Sequence, residues 1–409
     1  MGKKERIVCG LDVGTKKVCC LVARIRPDGG IDVLGSGYAQ SAGLKKGIVV
    51  DLERAAGAIH KAAQEAEHKS SRSVDWVTVG ASGNHIESLN CHGAVSISGK
   101  HHEVTADDVA QVIKAAQTAA IPPERQVIHV LPQEFFLDNR GDIRNPIGLT
   151  GTRLDVDLHI VTCDSALTQN LINAVNKAQM RVRKVILPQL ASAQAVLTED
   201  EKELGTVLID IGGGTTDIAL ITRDALRYSS VLPVGGAHFS RDLAVGLRTS
   251  IDEAERIKKE LGSVLVDDIA SDDVIEVAGI ATRKVRDVAR RTLCQILRHR
   301  AVEVLELTKD QIARAGCRDP LVSGAVLTGG GSMLEGMLPL AEQLLEMPVR
   351  QGLPQGIPGL ADELVHPVYA TAIGLALFAI HDGGARRAHA GKASTTPWFV
   401  SRFLSWVGS

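Results

Sequence analysis

Two stretches of this chain set the same residue types at the same spacing, GLDVGTKKVCCLVA at 10–23 and LIDIGGGTTDIALI at 208–221. Each carries an apolar run to an aspartate, turns on glycine and threonine, and enters a second apolar run. Such a turn suits anion chemistry, because glycine lets the backbone approach a phosphate and successive N–H groups form a concave nest for its oxygens. The strand-end carboxylates Asp12 and Asp210 are suited to hold a hydrated Mg²⁺ against those oxygens. A single copy would read better as an ordinary Asp-Gly hairpin. Two copies and a third glycine turn, TGGGSMLEG at 328–336, call instead for elements that converge on one ligand in a cleft between two similar halves. Neither G-x-x-x-x-G-K-[ST] nor G-x-G-x-x-G fits these runs. AERIKKELG at 254–262 sets Glu255 and Lys258 on one helix face. That pair is either part of a nucleotide site or a solvated ion pair behind a Ser250 cap.

The elements that must position these turns can be read around them. RIVCGLDVGTKKVCCLVARI and IDVLGSGYA form a β-meander; Asp51 caps an Ala-rich helix to about His68, and VDWVTVG returns as a strand. From Gly83 to Asp157 the texture changes to short alternating strands around one helix, Ala106 to Thr118, which marks an inserted α+β subdomain. Beyond it come LHIVTC as a strand, a helix from Ser165 to Ala178, VRKVIL as a strand and a helix after Pro188. The second meander opens at Gly205. Residues 236–316 read as mostly helical, with a long basic helix from Lys284 to Arg314. AVLTGGG leads to a helix from Ser332 to Leu345, and Val368 to Ile380 forms a closing helix before the polar linker ARRAHAGKASTT. The fold class expected is α/β.

Composition narrows the function. With 46 basic and 48 acidic residues the net charge is -2, so no global field recruits nucleic acid. Seven scattered cysteines without a C-x-x-C spacing suit reduced, buried thiols and a cytoplasmic setting. The N-terminus leads into a strand with no hydrophobic signal segment, and no apolar stretch is long enough to span a bilayer.

The tail stands apart. Aromatic residues make up 3% of the chain, yet TTPWFVSRFLSWVGS gathers Trp398, Phe399, Phe403 and Trp406. On a helix, Phe399, Phe403, Trp406 and Val407 share a side with Val400 and Leu404, and Arg402 lies toward the other side with Ser401 and Ser405. Thr396 is placed to cap it, and Pro397 suits the first turn. Its apolar face could dock on the protein's own core, but the polar linker favours release; a helix of this length rises about 15 Å, half a hydrocarbon core, so once released it would lie in the plane of an anionic membrane surface.

LDVGTKK, IDIGGGTTDIA and VLTGGGSMLEG resemble the two phosphate motifs and the adenosine motif of the actin, Hsp70 and sugar-kinase superfamily. The resemblance implies an actin-like ATPase fold, two similar RNase H-like halves around a cleft that binds ATP and Mg²⁺. Asp12, Gly14, Thr15, Lys16 and Lys17 would line one phosphate loop, and Asp210, Gly212, Gly213, Gly214, Thr215 and Thr216 the other. Gly235 would also face the nucleotide, Gly329, Gly330, Gly331 and Ser332 would border the nucleoside, and Glu255 and Lys258 would hold ribose and adenine. Asp12 and Asp210 would carry the metal.

DVGTKKV, GYAQSAGLKKGIVVDLE, LPQLASAQAVLTEDEKELG and the aromatic tail further resemble the FtsA family of bacterial division proteins, over essentially the whole chain. This implies 1–82 and 158–204 as the first half (1A), 83–157 as the insert (1C), 205–235 and 317–385 as the second half (2A) and 236–316 as subdomain 2B. Residues 386–395 would be a linker and 396–409 a membrane-targeting helix. It implies a peripheral protein on the cytoplasmic side of the bacterial inner membrane at the division site. There it would polymerise, tether FtsZ filaments and recruit later division proteins through the insert. The C-terminal tail of FtsZ would bind the basic helix through Arg286, Arg290 and Arg300. One departure bears on mechanism. Pro188, with Gln189 beside it, stands where brisk hydrolases of the superfamily carry a water-orienting Glu or Gln, which implies slow hydrolysis at most. A sugar or small-acid kinase and a pilus-assembly ATPase of the same superfamily are the alternative readings.

Overall fold

Strand alternation and glycine spacing build the first half. In the computed structural model, which describes residues 5–388 apart from 28–29, 118–120, 281–284, 318 and 358–359, the meander is β1 Ile7–Val13, β2 Lys17–Ile25 and β3 Ile31–Gln40. A small hairpin, β4 Leu44–Lys45 and β5 Ile48–Val49, leads to α1 Leu52–Ser70, whose first turn is capped by the Asp51 carboxylate accepting from Arg54 N at 3.1 Å. Helix α1 buries Ala55, Ile59, Ala62 and Ala66. It settles directly on β3 because Gly35 and Gly37 leave room there; a Cβ at Gly35 would sit 2.7 Å from Ser70 N. β6 Trp76–Gly80 then joins β1 in parallel.

The insert has its own sheet and core. β7 Ile86–Ser96, α2 Ala106–Ala116, β8 Arg125–Leu137, β9 Arg140–Ile143 and β10 Arg153–Asp164 form a sheet in the order β7-β10-β8-β9. Val109, Ile113, Phe135, Leu154 and Ile160 pack between it and α2. β10 is continuous to Asp164, so LHIVTC is not a separate strand; its pairing with both β7 and β8 carries it out of the insert without a break.

The chain returns through α3 Ser165–Lys177, β11 Arg181–Ile186, α4 Pro188–Val196 and α5 Glu199–Leu204. The second half repeats the first: β12 Thr206–Ile211, β13 Thr216–Thr222 and β14 Ala225–Leu232 form its meander. Between this meander and its parallel strands lie α6 Gly236–Gly246, α7 Ile251–Leu261, β15 Val274–Ala278, β16 Val285–Ala289 and α8 Arg290–Ala315. β17 Ala325–Thr328, α9 Met337–Leu345 and β18 Val349–Gln351 follow, and α10 Ala370–Ala388 crosses back to pack on β1, burying Ile373 and Ala376 in the first half's core. The two sheets run β11-β6-β1-β2-β3 and β14-β13-β12-β17-β18, the same topology of a three-stranded meander followed by two parallel strands.

Three expectations need correction. Subdomain 236–316 contains the β15/β16 hairpin, so the basic helix begins only at Arg290 and Arg286 lies on a strand. The helix expected from Ser332 is a short 3₁₀ turn, Gly330–Met333, followed by α9, because Gly336 takes a left-handed conformation (φ 81°) between them. α10 starts later than Val368 and continues to Ala388, into the expected linker. Among the described residues no helix is long and apolar enough to cross a membrane, and the aromatic tail lies outside the described residues.

The insert docks on β14, the edge strand of the second half. Asn90 Nδ2 donates to Arg227 O at 3.2 Å, Gln133 Nε2 to Leu226 O at 2.8 Å, and Ser88 Oγ to Ser229 O at 2.8 Å. Since the Asn90 amide nitrogen is used this way, its Oδ1 accepts from His159 Nδ1 at 2.7 Å, and His159 Nε2 accepts from Ser229 Oγ at 2.9 Å. Burial holds this imidazole neutral, pushed down to about 4. An unfolded chain takes up this proton near pH 6.5 and the native one only near 4, so stability from this group is complete above pH 6.5 and lost as pH falls through that window. Denaturant titrations should show a loss of up to about 3 kcal/mol between pH 7 and pH 4 that is reduced in His159→Gln. An equal pH dependence in the variant would exclude His159 as its source.

Candidate functional site

The two glycine turns close in the same way. Gly14 N donates to Lys17 O at 2.9 Å beyond the last β1/β2 pair, and Gly212 N donates to Thr215 O at 2.9 Å beyond the last β12/β13 pair. They meet across a cleft of about 600 Å³ between the halves. A Cβ on Gly213 would come 2.6 Å from Lys16 Cγ, and one on Gly214 would overlap the Thr15 hydroxyl, so only glycine lets the turns face each other this closely. Gly329, at φ 78°, lies where a Cβ would strike an Asp210 carboxylate oxygen, and its left-handed backbone keeps that wall open.

Three carboxylates stand at the base. Asp12 pairs with Lys17 Nζ at 3.0 Å; Lys17 also donates to Val368 O and lies 5.7 Å from the centre of the Tyr369 ring. Burial would lower the Lys17 ammonium, but the Asp12 carboxylate outweighs it and holds it above the usual lysine range. Asp210 accepts from Ser192 Oγ at 2.8 Å and Thr371 Oγ1 at 3.2 Å, and burial followed by repulsion from Asp12 raises its carboxyl. Asp217, directly across β12/β13 from Asp210, accepts from Ser82 Oγ at 2.9 Å and Thr215 Oγ1 at 3.0 Å. Burial, then Asp210, push it up to about 7.

At the far wall Lys258 Nζ binds Glu255 at 2.8 Å, Ser240 Oγ at 2.9 Å and Gly236 O at 3.0 Å. Burial lowers the lysine. The Glu255 carboxyl stays below its usual range despite burial because Lys258 faces it. Phe239, Met333, Leu334 and Val368 supply apolar lining between this pair and the turns.

Family models described as "Cell division protein FtsA" and "SHS2 domain inserted in FTSA" match residues 207–374 and 83–162. The cell division protein FtsA of Pseudomonas aeruginosa is 40% identical over 92% of this chain and 89% of its own length. That of Escherichia coli K12 is 36% identical over 98% of each. The chain belongs to the FtsA family. Two solved structures show its fold at low identity. The PilM–PilN type IV pilus biogenesis complex has a TM-score of 0.66 at 16% identity, covering 91% of this chain and 98% of that one. MreB5 of Spiroplasma citri bound to ADP has a TM-score of 0.53 at 15% identity, covering 94% and 99%. The fold is the actin-like ATPase fold.

Of the residues anticipated at the cleft of this FtsA-family chain, Asp12, Gly14, Thr15, Lys16, Lys17, Asp210, Gly212, Gly213, Gly214, Thr215, Glu255, Lys258, Gly329, Gly330 and Gly331 line it. Three others lie behind the wall. Thr216 turns its hydroxyl to Val234 O at 2.9 Å, Ser332 donates to Gly329 O at 2.6 Å, and Gly235 packs under the second turn, 2.5 Å from Gly212 O for a Cβ. Pro188 lines the cleft, whereas Gln189 is fully buried with Nε2 3.5 Å from Ser230 O and Oε1 without a partner among the described residues. Asp217, Ser82, Ser192 and Thr371 were not anticipated. The internal repeat held a signal for the first: where β2 has Cys19 opposite Asp12, β13 has Asp217 opposite Asp210.

The arginines expected to bind the peptide each hold partners within the fold. Arg286 donates to Leu247 O, Arg290 to Leu261 O at 2.9 Å and to Asp273 at 3.2 Å, and Arg300 grips Asp242 at 2.6 and 3.1 Å and pairs with Glu303. They tie α6, α7, the hairpin and α8 together and do not form one open basic face.

Proposed function

We propose that this FtsA-family chain acts in cell division as an ATP-binding, self-associating adaptor that carries FtsZ filaments on the cytoplasmic face of the membrane. The observation that carries the nucleotide reading is the pair of facing glycine turns, with Asp12, Lys17 and Asp210 beneath them and the Glu255–Lys258 pair on the far wall. Turn N–H groups and Lys17 suit phosphates; the apolar wall at Met333 and Leu334 suits a base. Asp12 and Asp210 fit Mg²⁺ by their hard oxygen donors. Among the described residues no group of three or more His, Cys, Asp or Glu side chains is placed to hold an ion, so the metal would be held jointly with phosphate oxygens. Bound there, Mg²⁺ would neutralise phosphate charge. Pro188 gives the cleft no side chain that orients water at that point, so nucleotide serves chiefly to hold the halves together in a polymerising shape.

Membrane attachment is assigned to residues 396–409 and contact with later division proteins to the insert. FtsZ-tail binding is assigned to subdomain 2B as a whole. Weak single tails become firm attachment when polymerisation arrays them. The deciding measurement is co-sedimentation of the full chain with anionic vesicles, ATP and a labelled FtsZ-tail peptide. All components should pellet together, and deletion of 396–409 should leave ATP and peptide bound to protein in the supernatant. Pelleting of the truncated chain with vesicles would place the membrane contact elsewhere, and a chain that never binds peptide or ATP would remove the adaptor reading.

A further inference from the structure

Trp76 opens β6 on the outside of the first half and is 45% exposed, an unusual position for one of only three tryptophans in the chain. Two guanidinium groups flank its ring, Arg181 at 5.5 Å and Arg183 at 6.0 Å from its centre, both on the edge strand β11 that pairs with β6 at Trp76↔Arg181. Neither arginine forms an ion pair among the described residues, and both are exposed. The neighbouring acids are mostly engaged. Glu5 is held by Arg24 and Arg72, Asp32 by Arg24, and Glu67 by Val74 N, leaving Asp75 as the exposed carboxylate beside the ring.

The position of this patch follows from strand direction. β1, β6 and β11 are parallel, so Trp76 and Arg181 stand at the end of the sheet opposite the phosphate turn that follows β1. α10 begins beside the cleft, where Thr371 meets Asp210, and its next turns cross Gly10 in mid-β1; the helix therefore runs toward the end of the sheet that carries Trp76. The aromatic residues 396–409 follow that helix in sequence.

We infer that Trp76 with Arg181 and Arg183 is a second membrane contact, on the body of the protein, that takes anionic lipid headgroups and orients the chain once its tail is inserted. The inference rests on the membrane reading proposed above. A tryptophan ring suits the headgroup level, where it meets both acyl and polar groups, and the paired cations suit lipid phosphates. A tail that attaches reversibly leaves the body free to rotate; a contact on the body itself sets which face meets the membrane.

The test uses the full chain with Trp398→Phe and Trp406→Phe, which leaves Trp76 as the single tryptophan. On vesicles rich in phosphatidylglycerol its emission should shift to shorter wavelength and be quenched by brominated acyl chains. Unchanged emission from vesicle-bound protein overturns the inference. Independently, Arg181→Ser with Arg183→Ser in the otherwise native chain should weaken binding to the same vesicles roughly fivefold per arginine, about thirtyfold together, with no effect on phosphatidylcholine vesicles. Wild-type affinity on anionic vesicles likewise overturns it. If deletion of 396–409 leaves vesicle binding intact, the tail reading fails on its own, and Trp76 quenching in that deletion still decides this contact.

Discussion

Gly374→Ala is expected to destabilise the chain by about 3 kcal/mol or more, and Gly374→Val to leave it largely insoluble. A Cβ at this position of α10 would overlap the backbone carbonyl of Ala191 in α4, and backbone atoms have no rotamer by which to withdraw. The opposite side of α10 is equally constrained: a Cβ on Gly10 of β1 would lie 2.5 Å from Ala372 O and 2.7 Å from Ala376 N. Helix α10 is thus pressed between β1 and α4 with no slack on either side. Moving α4 would also displace Ser192 from Asp210, so the damage reaches the cleft. Gly57 in the middle of α1 is the control. Nothing lies within 4 Å of a Cβ there, so Gly57→Ala should stabilise by about 0.5–1 kcal/mol through reduced unfolded-state entropy and better helix propensity. Denaturant midpoints compare the two, and a wild-type midpoint for Gly374→Ala would contradict the α4–α10 packing.

The second large effect is on ligand affinity. Asp210→Asn should weaken Mg-ATP binding by about 30- to 150-fold, the roughly 2–3 kcal/mol of a lost charge-assisted contact, while the fold survives. The amide has the shape of the carboxylate and an oxygen that can still accept from Ser192 Oγ and Thr371 Oγ1, so no buried hydroxyl is left unpaired. Calorimetry with and without Mg²⁺ separates the contributions. Wild-type affinity in the presence of Mg²⁺ would remove Asp210 from the metal site. Thr216→Val is the contrasting variant, because its hydroxyl faces Val234 O, away from the ligand: it should cost stability and leave affinity nearly unchanged.

What the sequence determined by itself was the local chemistry. A strand-end aspartate followed by a glycine turn reads the same in any context, since the turn's N–H groups and its close approach depend on a few adjacent residues. Two copies of that pattern together with the third glycine turn imply two similar halves and a cleft, and the repeat is visible in both sheets. The helix carrying Glu255 and Lys258 was legible for the same reason, from spacing and a Ser250 cap. Tertiary structure decided which side chains are spent on the fold and which remain for a ligand. The ion pair of Arg300 was not legible because its partner Asp242 lies on another helix, and Arg286 read as helical because the hairpin that holds it is made by pairing with Val277. Asp217 became part of the cleft through strand register opposite Asp210, and His159 became a neutral clamp only when the insert met β14. In each case a charge or a polar group is silent in sequence until long-range packing supplies its partner and removes its water, and those two events set its protonation and its role.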